Sequence, residues 1–419
     1  QVGDTKVATL SDTDTTNVTG SELVTNGTFD SNTTGWNAGT STLSQTSGKA
    51  KVLSPSGGWV SAYQAITTVV GKLYTISTSV DPTTGGSLNG ADVLVQNSST
   101  LGVSSVILIG PVTHGTSATI LSGTFTATAT TTYIHLRSKA YASNEYTLFD
   151  NVTVRLAEED RSWNGNGLQV FGTVTKTAVA TGAELVGYSF GSNANYLEQP
   201  YNSDLDFGTG DFSVMCWVKP DTSMSAYPSI VDRYVSANNE STAWLLKIAE
   251  GTSSYYFYSN NTSIFTATGK VQFGVWQQVM AVRRSGVLYF YLNGRLEETG
   301  AMTHSITSSG AKLKVSKDAT HHLGNSNLAL LRISATAPTE EQIKKMYNDE
   351  KHLFTTNAKA TLYGTSNNPL AIAYDDDTEL LHVGTSAGRS VFQGLNRVDN
   401  TTDAVGAAIS ASNGLVAED

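Results

Sequence analysis

The chain has little of what redox, membrane or nucleic-acid functions need. Its 419 residues include one cysteine, Cys216, so no internal disulfide can form. The net charge is -10 and basic residues are scattered, which disfavours a nucleic-acid partner. No apolar run approaches the roughly 18 residues of a membrane-spanning helix. We therefore expect no nucleic-acid partner and no membrane insertion, with Cys216 as a small buried hydrophobe in a strand.

Charge and helical periodicity are also scarce. Charged residues make up 15% of the chain and hydrophobic residues 39%, with Thr, Ser, Gly and Asn filling much of the difference. This composition suits β-structure with many turns and disfavours helical bundles. Eighteen Tyr and 13 Phe supply core material. The sequence therefore predicts a folded, all-β protein rather than a disordered one.

Short runs with alternating apolar residues fill residues 21–156. The runs are KLYTISTSV (72–80), ADVLVQ (91–96), SVILIG (105–110), TYIHLRS (132–138) and YTLFDNVTVRL (146–156). Regularly spaced short strands separated by Gly, Asn and Ser turns are typical of a β-sandwich. The preceding residues, 1–20, are polar and are interpreted as a lead-in segment with one short strand near 5–10.

Three motifs give this first sandwich a family resemblance. They are ELVTNGTFDSNTTGWNAG (22–39), VVGKLYTIS (69–77) and FDNVTV (149–154). The region resembles carbohydrate-binding modules of the family 4/9/22 jelly-roll type. The resemblance implies a structural calcium ion held by Asp30 and Asp150, and carboxylates suit such a hard cation. The alternative is that both aspartates are ordinary turn or edge residues.

A second resemblance follows the linker predicted at 157–175. Its motifs are YLEQPYNSDLDFGTGDFSVMCWVKP (196–220) and VWQQVMAVRRSGVLYFYLNGRLEETG (275–300). They resemble laminin-G-like, concanavalin A-like jelly rolls, which predicts a second sandwich over 176–356. Asn293-Gly294 is a strong hairpin signal because both residues tolerate positive φ. The acidic ending common in that family is replaced here by NLALLRI (327–333), so a second calcium ion is not implied.

One helix is predicted after the last strand of the second sandwich. Thr339 is a suitable N-cap, and Gln342 completes a capping box three residues later. Ile343, Met346 and Tyr347 then fall on one face. That face is expected to pack against the sandwich.

Residues 357–419 change character and predict a short three-stranded segment like one blade of a β-propeller. Its strands are LAIAYD, LLHVGTS and RSVFQGL. A lone three-stranded blade does not bury its faces by itself. We therefore expect burial against another chain, with a trimer favoured, or against the adjacent sandwich, for Leu370, Ile372, Leu381, Val383 and Val391.

This segment also contains two patterns that resemble catalytic or metal sites. GTSAG (384–388) matches the nucleophile elbow of hydrolases, but a strand follows it instead of a helix, and no histidine follows Ser386. The three aspartates at 375–377 lack the spacing of a calcium-binding loop. Both patterns are interpreted as turns, and no enzyme activity is expected.

Aromatic side chains are the candidates for stacking on sugar rings. Trp59 follows the loop-like SPSGG, and the tyrosines cluster in several short runs. Core packing is the alternative for each one singly, although the YYFY run should expose at least one ring. The candidates are Trp59, Tyr63, Tyr141, Tyr227, Tyr234, Tyr255, Tyr256 and Tyr258.

The combination of segments resembles marine-phage tail fibres and other virion appendages. The resemblance implies a non-enzymatic structural and adhesive protein on the virion surface, in contact with other virion proteins and with cell-surface polysaccharide. Missing disulfides suit a protein assembled in a cytoplasm. The alternative is a secreted or cell-surface glycan-binding protein unrelated to a virus.

Overall fold

The computed structural model describes residues 6–81, 90–102, 107–112, 118–162, 165–225, 227–234, 244–260, 262–266, 268–308, 310–318 and 321–419. The chain is all-β, with 50% strand and a helix near the C-terminal end. It forms two jelly-roll-like sandwiches and a set of small C-terminal sheets, which confirms the predicted fold class. Within these ranges, no helix has the length and apolar character needed to cross a membrane.

The first sandwich consists of two antiparallel sheets. The N-terminal segment supplies β1 (Lys6–Leu10) and β2 (Val18–Gly20), and the sandwich follows with β3 (Thr42–Thr46), β4 (Lys49–Leu53), β5 (Gly58–Thr67), β6 (Leu73–Asp81), β7 (Gly90–Gln96), β8 (Ile107–Val112), β9 (Thr119–Thr126), β10 (Thr131–Ala140) and β11 (Tyr146–Glu158). Sheet I has the order β3-β4-β11-β6-β9. Sheet II has the order β5-β10-β7-β8. Their inner faces share one core, which includes Phe29, Trp36 and Phe149.

The second sandwich follows the same plan. Its strands are β12 (Leu168–Ala178), β13 (Val186–Ser189), β14 (Tyr196–Gln199), β15 (Phe212–Lys219), β16 (Ser229–Arg233), β17 (Trp244–Ala249), β18 (Ser254–Ser259), β19 (Thr262–Phe265), β20 (Gln277–Arg284), β21 (Val287–Leu292), β22 (Arg295–Ala301), β23 (Leu313–Val315) and β24 (Asn327–Ser334). Sheet III has the order β13-β24-β15-β20-β21-β22. Sheet IV has the order β14-β23-β16-β17-β18-β19. Cys216 lies in the core between them, as predicted.

The N-terminal segment belongs to the second sandwich rather than serving as a lead-in. Strand β1 pairs with β24, and β2 pairs with the middle of β12, where Gly20 is opposite Gly172. Strand β12 also pairs with β14 at its start and with β13 at its end. The predicted linker 157–175 therefore contains the end of β11 and much of β12. Sequence reasoning missed this because pairing across 150 residues leaves no local pattern.

The predicted helix is α1 (Glu340–Glu350), followed by a 3-10 turn at Lys351–Phe354. Thr339 and Gln342 form both hydrogen bonds of the capping box. Ile343 is buried in a cluster that includes partly buried Met346, and Tyr347 stacks on Trp217 with ring centres 5.6 Å apart. Shorter 3-10 turns lie at Ser203–Leu205 and Glu250–Thr252.

The C-terminal segment has more strands than the sequence predicted. Sheet V contains β25 (Ala371–Asp375), β26 (Leu380–Thr385), β27 (Gly388–Gln393) and β28 (Asn396–Asn400). A separate hairpin follows, with β29 (Ile409–Ser412) and β30 (Leu415–Glu418). The GTSAG run is the turn between β26 and β27, so a strand follows it, as expected.

The five predicted contact residues of sheet V differ in burial. Val383 and Val391 are buried and Leu381 is half-buried. Leu381 and Val383 line the cavity between sheet V and the second sandwich. Leu370 and Ile372 are 45% and 61% exposed. Burial of these last two against their own sandwich is therefore wrong, and contact with another chain stays a prediction.

Candidate glycan-binding surface

The outer face of sheet II presents aromatic and polar side chains together. Alternate residues of β5 point into the core, including buried Val60 and Ala62, so the residues between them point outward. The same alternation in β10 places Ile134 and Leu136 in the core. The outward-facing side chains form what we call the Trp59 face: Trp59, Ser61, Tyr63, Asp92, Gln96, Tyr133, His135, Arg137 and Lys139.

Trp59 combines exposure with a fixed position on this face. Its side chain is 37% exposed. The guanidinium carbon of Arg137 lies 4.3 Å from the ring centre, and the ammonium nitrogen of Lys139 lies 5.6 Å away. Both cations come from β10, and β5 is the edge strand of sheet II. The indole is therefore held by cation–π contacts and remains partly exposed to solvent.

Asp92 fixes the guanidinium that holds the indole. Arg137 Nε and Nη2 donate to the two carboxylate oxygens of Asp92 at 2.5 and 2.6 Å. Asp92 is 1% exposed, and burial, its largest influence, raises its pKa, while the hydrogen bonds and charge of Arg137 oppose that rise. A two-pronged pair of this kind restricts the rotation of the arginine. Arg137, whose rotation Asp92 restricts, thus holds the Trp59 ring in position.

Tyr63, Tyr133 and His135 continue the face along the sheet. The ring of Tyr63 lies 6.0 Å from that of Tyr133 and 5.2 Å from that of His135. His135 is fully buried, and burial lowers its pKa. Its Nε2 lies 3.0 Å from the Ser98 carbonyl oxygen and its Nδ1 lies 3.2 Å from the Ser61 hydroxyl. These contacts orient the imidazole beneath the two half-buried tyrosines.

Tyr141 lies just beyond the same end of the sheet. It is 66% exposed and follows β10, whose last residue, Ala140, pairs with Gly58 next to Trp59. Its backbone N–H donates to a carboxylate oxygen of Glu145 at 2.6 Å, which fixes the loop. The structure therefore places Trp59 and Tyr141 at one end of sheet II, with Tyr63 further along the same strand as Trp59.

Sequence reasoning missed the partners of Trp59 on the neighbouring strands. Tyr133, His135, Arg137 and Lys139 occupy alternate positions of TTYIHLRSKA, and Ile134, Leu136 and Ser138 lie between them. That alternation was the available signal, since it assigns all four side chains to one face. Asp92 carried no comparable signal, because its pairing with Arg137 depends on which strands are neighbours.

The tyrosines of β18 do not form an exposed surface. Tyr255 is fully buried in the core of the second sandwich, and its hydroxyl donates to Gln277 Oε1 at 2.9 Å. Its assignment as a glycan-binding candidate is therefore wrong. Tyr256 is 8% exposed, and Tyr258 is half-buried and therefore the most exposed of the three. Tyr255 points into the core, whereas Tyr256 and Tyr258 alternate with it and lie on the outer face of sheet IV.

The two remaining tyrosines lie on connecting segments. Tyr227 is 51% exposed, and its ring meets His321 edge-on with centres 6.0 Å apart. His321 Nδ1 lies 3.1 Å from a carboxylate oxygen of Asp318. Tyr234 follows β16 and is half-buried. These contacts hold one exposed ring, and Tyr227 lies close enough to Tyr256 to contribute, after burial and Asp318, to the raised pKa of that tyrosine.

Asp30 and Asp150 lie close enough to influence each other. Burial is the largest influence on Asp150 and raises its pKa, and the charge of Asp30 raises it further, although the Asn151 amide and Lys49 oppose the rise. Both oxygens of Asp150 accept hydrogen bonds from Asn151, at 2.7 and 3.0 Å. The Thr28 hydroxyl donates to Asp30 at 2.8 Å. Carboxylate oxygens are ligands that a hard cation prefers, and a calcium ion held by Asp30 and Asp150 stays a prediction.

A larger metal-binding group is absent from the part of the chain that the structure describes. Within those ranges, no three His, Cys, Asp or Glu side chains are arranged to hold a metal ion. Asp375 instead accepts from the backbone N–H groups of Gly414, at 2.7 Å, and Asp377, at 3.0 Å. These hydrogen bonds, that from Gly414 first, lower its pKa. The aspartates at 375–377 therefore make a turn and a contact with the C-terminal hairpin.

Most of the second sandwich matches a known protein family. Residues 191–344 match the Laminin_G_3 family, described as the concanavalin A-like lectin/glucanases superfamily. The resemblance predicted for the second sandwich is thereby confirmed. No curated protein sequence gives a significant match to the chain.

Solved structures with a similar arrangement include two toxin binding domains. The binding domain of Paraclostridial Mosquitocidal Protein 1 matches at 13% identity and a TM-score of 0.39, covering 55% of this chain and 62% of that one. The botulinum neurotoxin serotype D binding domain matches at 14% identity and 0.39, covering 56% and 59%. This chain thus spans less than two thirds of either domain.

A further similar structure is domain 4 of AbnA, a GH43 extracellular arabinanase from Geobacillus stearothermophilus, in complex with arabinotriose. It matches at 16% identity and a TM-score of 0.36, covering 45% of this chain and 92% of that one. At such identities and TM-scores the likeness carries no conclusion about this chain. The ligands of these proteins therefore do not identify a ligand of this chain.

Proposed function

We propose that this protein is a non-enzymatic adhesive protein that binds cell-surface polysaccharide on the Trp59 face. The supporting observation is the indole of Trp59, 37% exposed and held by Arg137, which is in turn fixed by Asp92. Sugar rings present C–H groups that pack on an aromatic ring, and their hydroxyls need hydrogen-bonding partners beside it. On the Trp59 face the ring is Trp59, and the half-buried side chains of Arg137 and Lys139 are the polar groups beside it.

The face suits binding better than catalysis. Glycoside hydrolysis needs two carboxyl groups on either side of the scissile bond. Asp92 is the acidic side chain of the Trp59 face, and both of its oxygens are occupied by Arg137. A ligand lying on Trp59 would therefore meet a recognition surface without an acid–base pair.

The proposal is tested by polysaccharide binding of the whole chain and of Trp59→Ala. We expect binding on a glycan array or in affinity electrophoresis, and a loss of at least about tenfold, equivalent to about 1.4 kcal/mol, in the variant. Phe273→Ala is the matched control, because Phe273 is 40% exposed and belongs to the second sandwich. Equal binding by Trp59→Ala and the parent chain would reject the Trp59 face as the site.

We also propose that the protein works on the surface of a virion, as part of an appendage with more than one copy of the chain. Support comes from the combination of sandwiches and C-terminal strands in the sequence, and from two exposed apolar residues, Ile372 in sheet V and Leu370 just before it. Exposed apolar groups of this kind suit contact with a partner. A monomeric mass in solution would count against an appendage that contains more than one copy of the chain.

A further inference from the structure

Sheet V approaches helix α1 at one very close contact. Gly394, in the turn after β27, has a φ of +61°, and a Cβ built on it would lie 2.7 Å from the Cβ of Asp349. Only glycine permits this approach without displacement of the backbone. The contact therefore sets the distance between sheet V and the helix.

A cleft of about 500 Å³ opens beside this contact. Tyr374, Phe392 and Gln393 line it from sheet V, and Asn348 and His352 line it from α1 and the following turn. Its volume lies within the range of small-molecule sites, which runs from about 300 to 1,000 Å³. The walls come from two separate elements, a common position for such sites.

Tyr374 has an exposed ring that a ligand in the cleft could contact. Its cross-strand neighbour is Leu381, which in turn pairs with Phe392, so the three side chains form a row across β25, β26 and β27. Phe392 is 9% exposed and forms the floor, whereas Tyr374 is 51% exposed. The exposed ring stands at the open end of this apolar row.

The polar groups of the cleft are balanced in charge. Lys345 Nζ lies 3.3 Å from a carboxylate oxygen of Asp349, and Lys351 Nζ donates to Asn348 Oδ1 at 2.9 Å. Glu379 adds a further carboxylate on the sheet side. Amides, a phenol and two charges of each sign around an exposed ring suit a ligand with many hydroxyls and no net charge.

We propose that this cleft is a second binding site of the protein and that it takes a neutral oligosaccharide, with Tyr374 stacking on a sugar ring. The site is separate from the Trp59 face, since its residues come from α1 and sheet V. It rests on the geometry of the cleft and does not require that the Trp59 face bind anything.

The test uses the full chain carrying Trp59→Ala, which removes the first candidate site. The probes are cellotetraose, xylotetraose and mannotetraose, with tetragalacturonate as the charged comparison, and binding is measured by calorimetry and saturation-transfer NMR. We expect at least one neutral probe to bind. Adding Tyr374→Ala should weaken it by roughly tenfold or more, whereas Tyr374→Phe should retain most of the affinity.

Gly394→Ala is a second, independent variant, because its methyl group would move sheet V away from Asp349. We expect weaker binding of the same probe with an unchanged circular dichroism spectrum. The proposal is overturned if no neutral probe binds the Trp59→Ala chain, if Tyr374→Ala binds equally well, or if tetragalacturonate binds best. Binding by the parent chain that disappears in Trp59→Ala would support the Trp59 face and reject the cleft.

Discussion

Arg137 lies over the ring of Trp59, with 4.3 Å between the guanidinium carbon and the ring centre. The same side chain makes two hydrogen bonds to the buried carboxylate of Asp92. Arg137 thus contacts both the exposed indole of Trp59 and the buried carboxylate of Asp92. Changes at this residue should affect both binding and stability, and the two effects can be separated.

Replacing Arg137 by Ala should lower the free energy of unfolding by about 3–5 kcal/mol, because Asp92 would then be a buried charge without its partner. The double variant Asp92→Ala/Arg137→Ala should be less destabilised than Arg137→Ala alone. Urea unfolding of the three chains measures this difference. A double variant at least as unstable as the single one would contradict the assigned role of the pair.

Calcium should stabilise the parent chain through Asp30 and Asp150. At a free concentration 100 times the dissociation constant, a single site adds about 2.7 kcal/mol to the free energy of unfolding. Asp150→Asn should remove this calcium-dependent shift of the melting temperature. Asp376→Asn, at an exposed position of a turn, is the control and should keep it. The same shift in Asp150→Asn and the parent would exclude this site.

The mass of the chain in solution should be that of an oligomer, with a trimer favoured. Ile372→Asp should reduce it, because a charge would be placed in the proposed contact, where the isoleucine is 61% exposed in the single chain. Leu415→Asp is the control, since Leu415 is 77% exposed on the separate C-terminal hairpin. Light scattering at several concentrations distinguishes these outcomes. If the parent chain is monomeric at every concentration, the proposed contact between chains is wrong.

The contact between Asp375 and the C-terminal hairpin should weaken in acid. The hydrogen bond from the Gly414 amide is the first cause of the lowered pKa of Asp375. A carboxyl whose pKa is lower in the folded state stabilises the fold above its unfolded pKa, and this contribution is lost as the pH falls through the folded value. Loss of hydrogen-exchange protection at Gly414 is therefore expected below about pH 4.

Asp375→Asn should show the same loss of protection at neutral pH, because the amide is a weaker acceptor than the carboxylate. Asp403→Asn, at an exposed position before the hairpin, is a suitable control. Unchanged protection at Gly414 in Asp375→Asn would show that this contact does not hold the hairpin.

Local signals in the sequence were sufficient for many elements. The capping box at Thr339 predicted the start of α1, and Asn293-Gly294 predicted the turn between β21 and β22, where both residues have positive φ. The same dipeptide recurs at Asn413-Gly414, also with positive φ, and forms the turn of the hairpin that the prediction omitted. In these places the backbone conformation depends on two to four adjacent residues.

The candidate site could be predicted only in part. Trp59 was selected from its loop-like context, but its position relative to Arg137 depends on the register of β5 and β10, which no local pattern specifies. The error at Tyr255 has a similar origin. Alternation separates the two faces of a strand, but in a run such as YYFY both faces carry aromatic residues, so the pattern does not show which face is the core.

Strand β12 pairs with the segments at both ends of the first sandwich. Gly20, just before that sandwich, pairs with Gly172, and Ala157, at its end, pairs with Gln169. The first sandwich enters and leaves the second along a single strand, as an inserted cassette does. A related sandwich with similarly spaced ends could therefore replace it while β1 and β2 stay paired, so that recognition and framework are free to diverge independently.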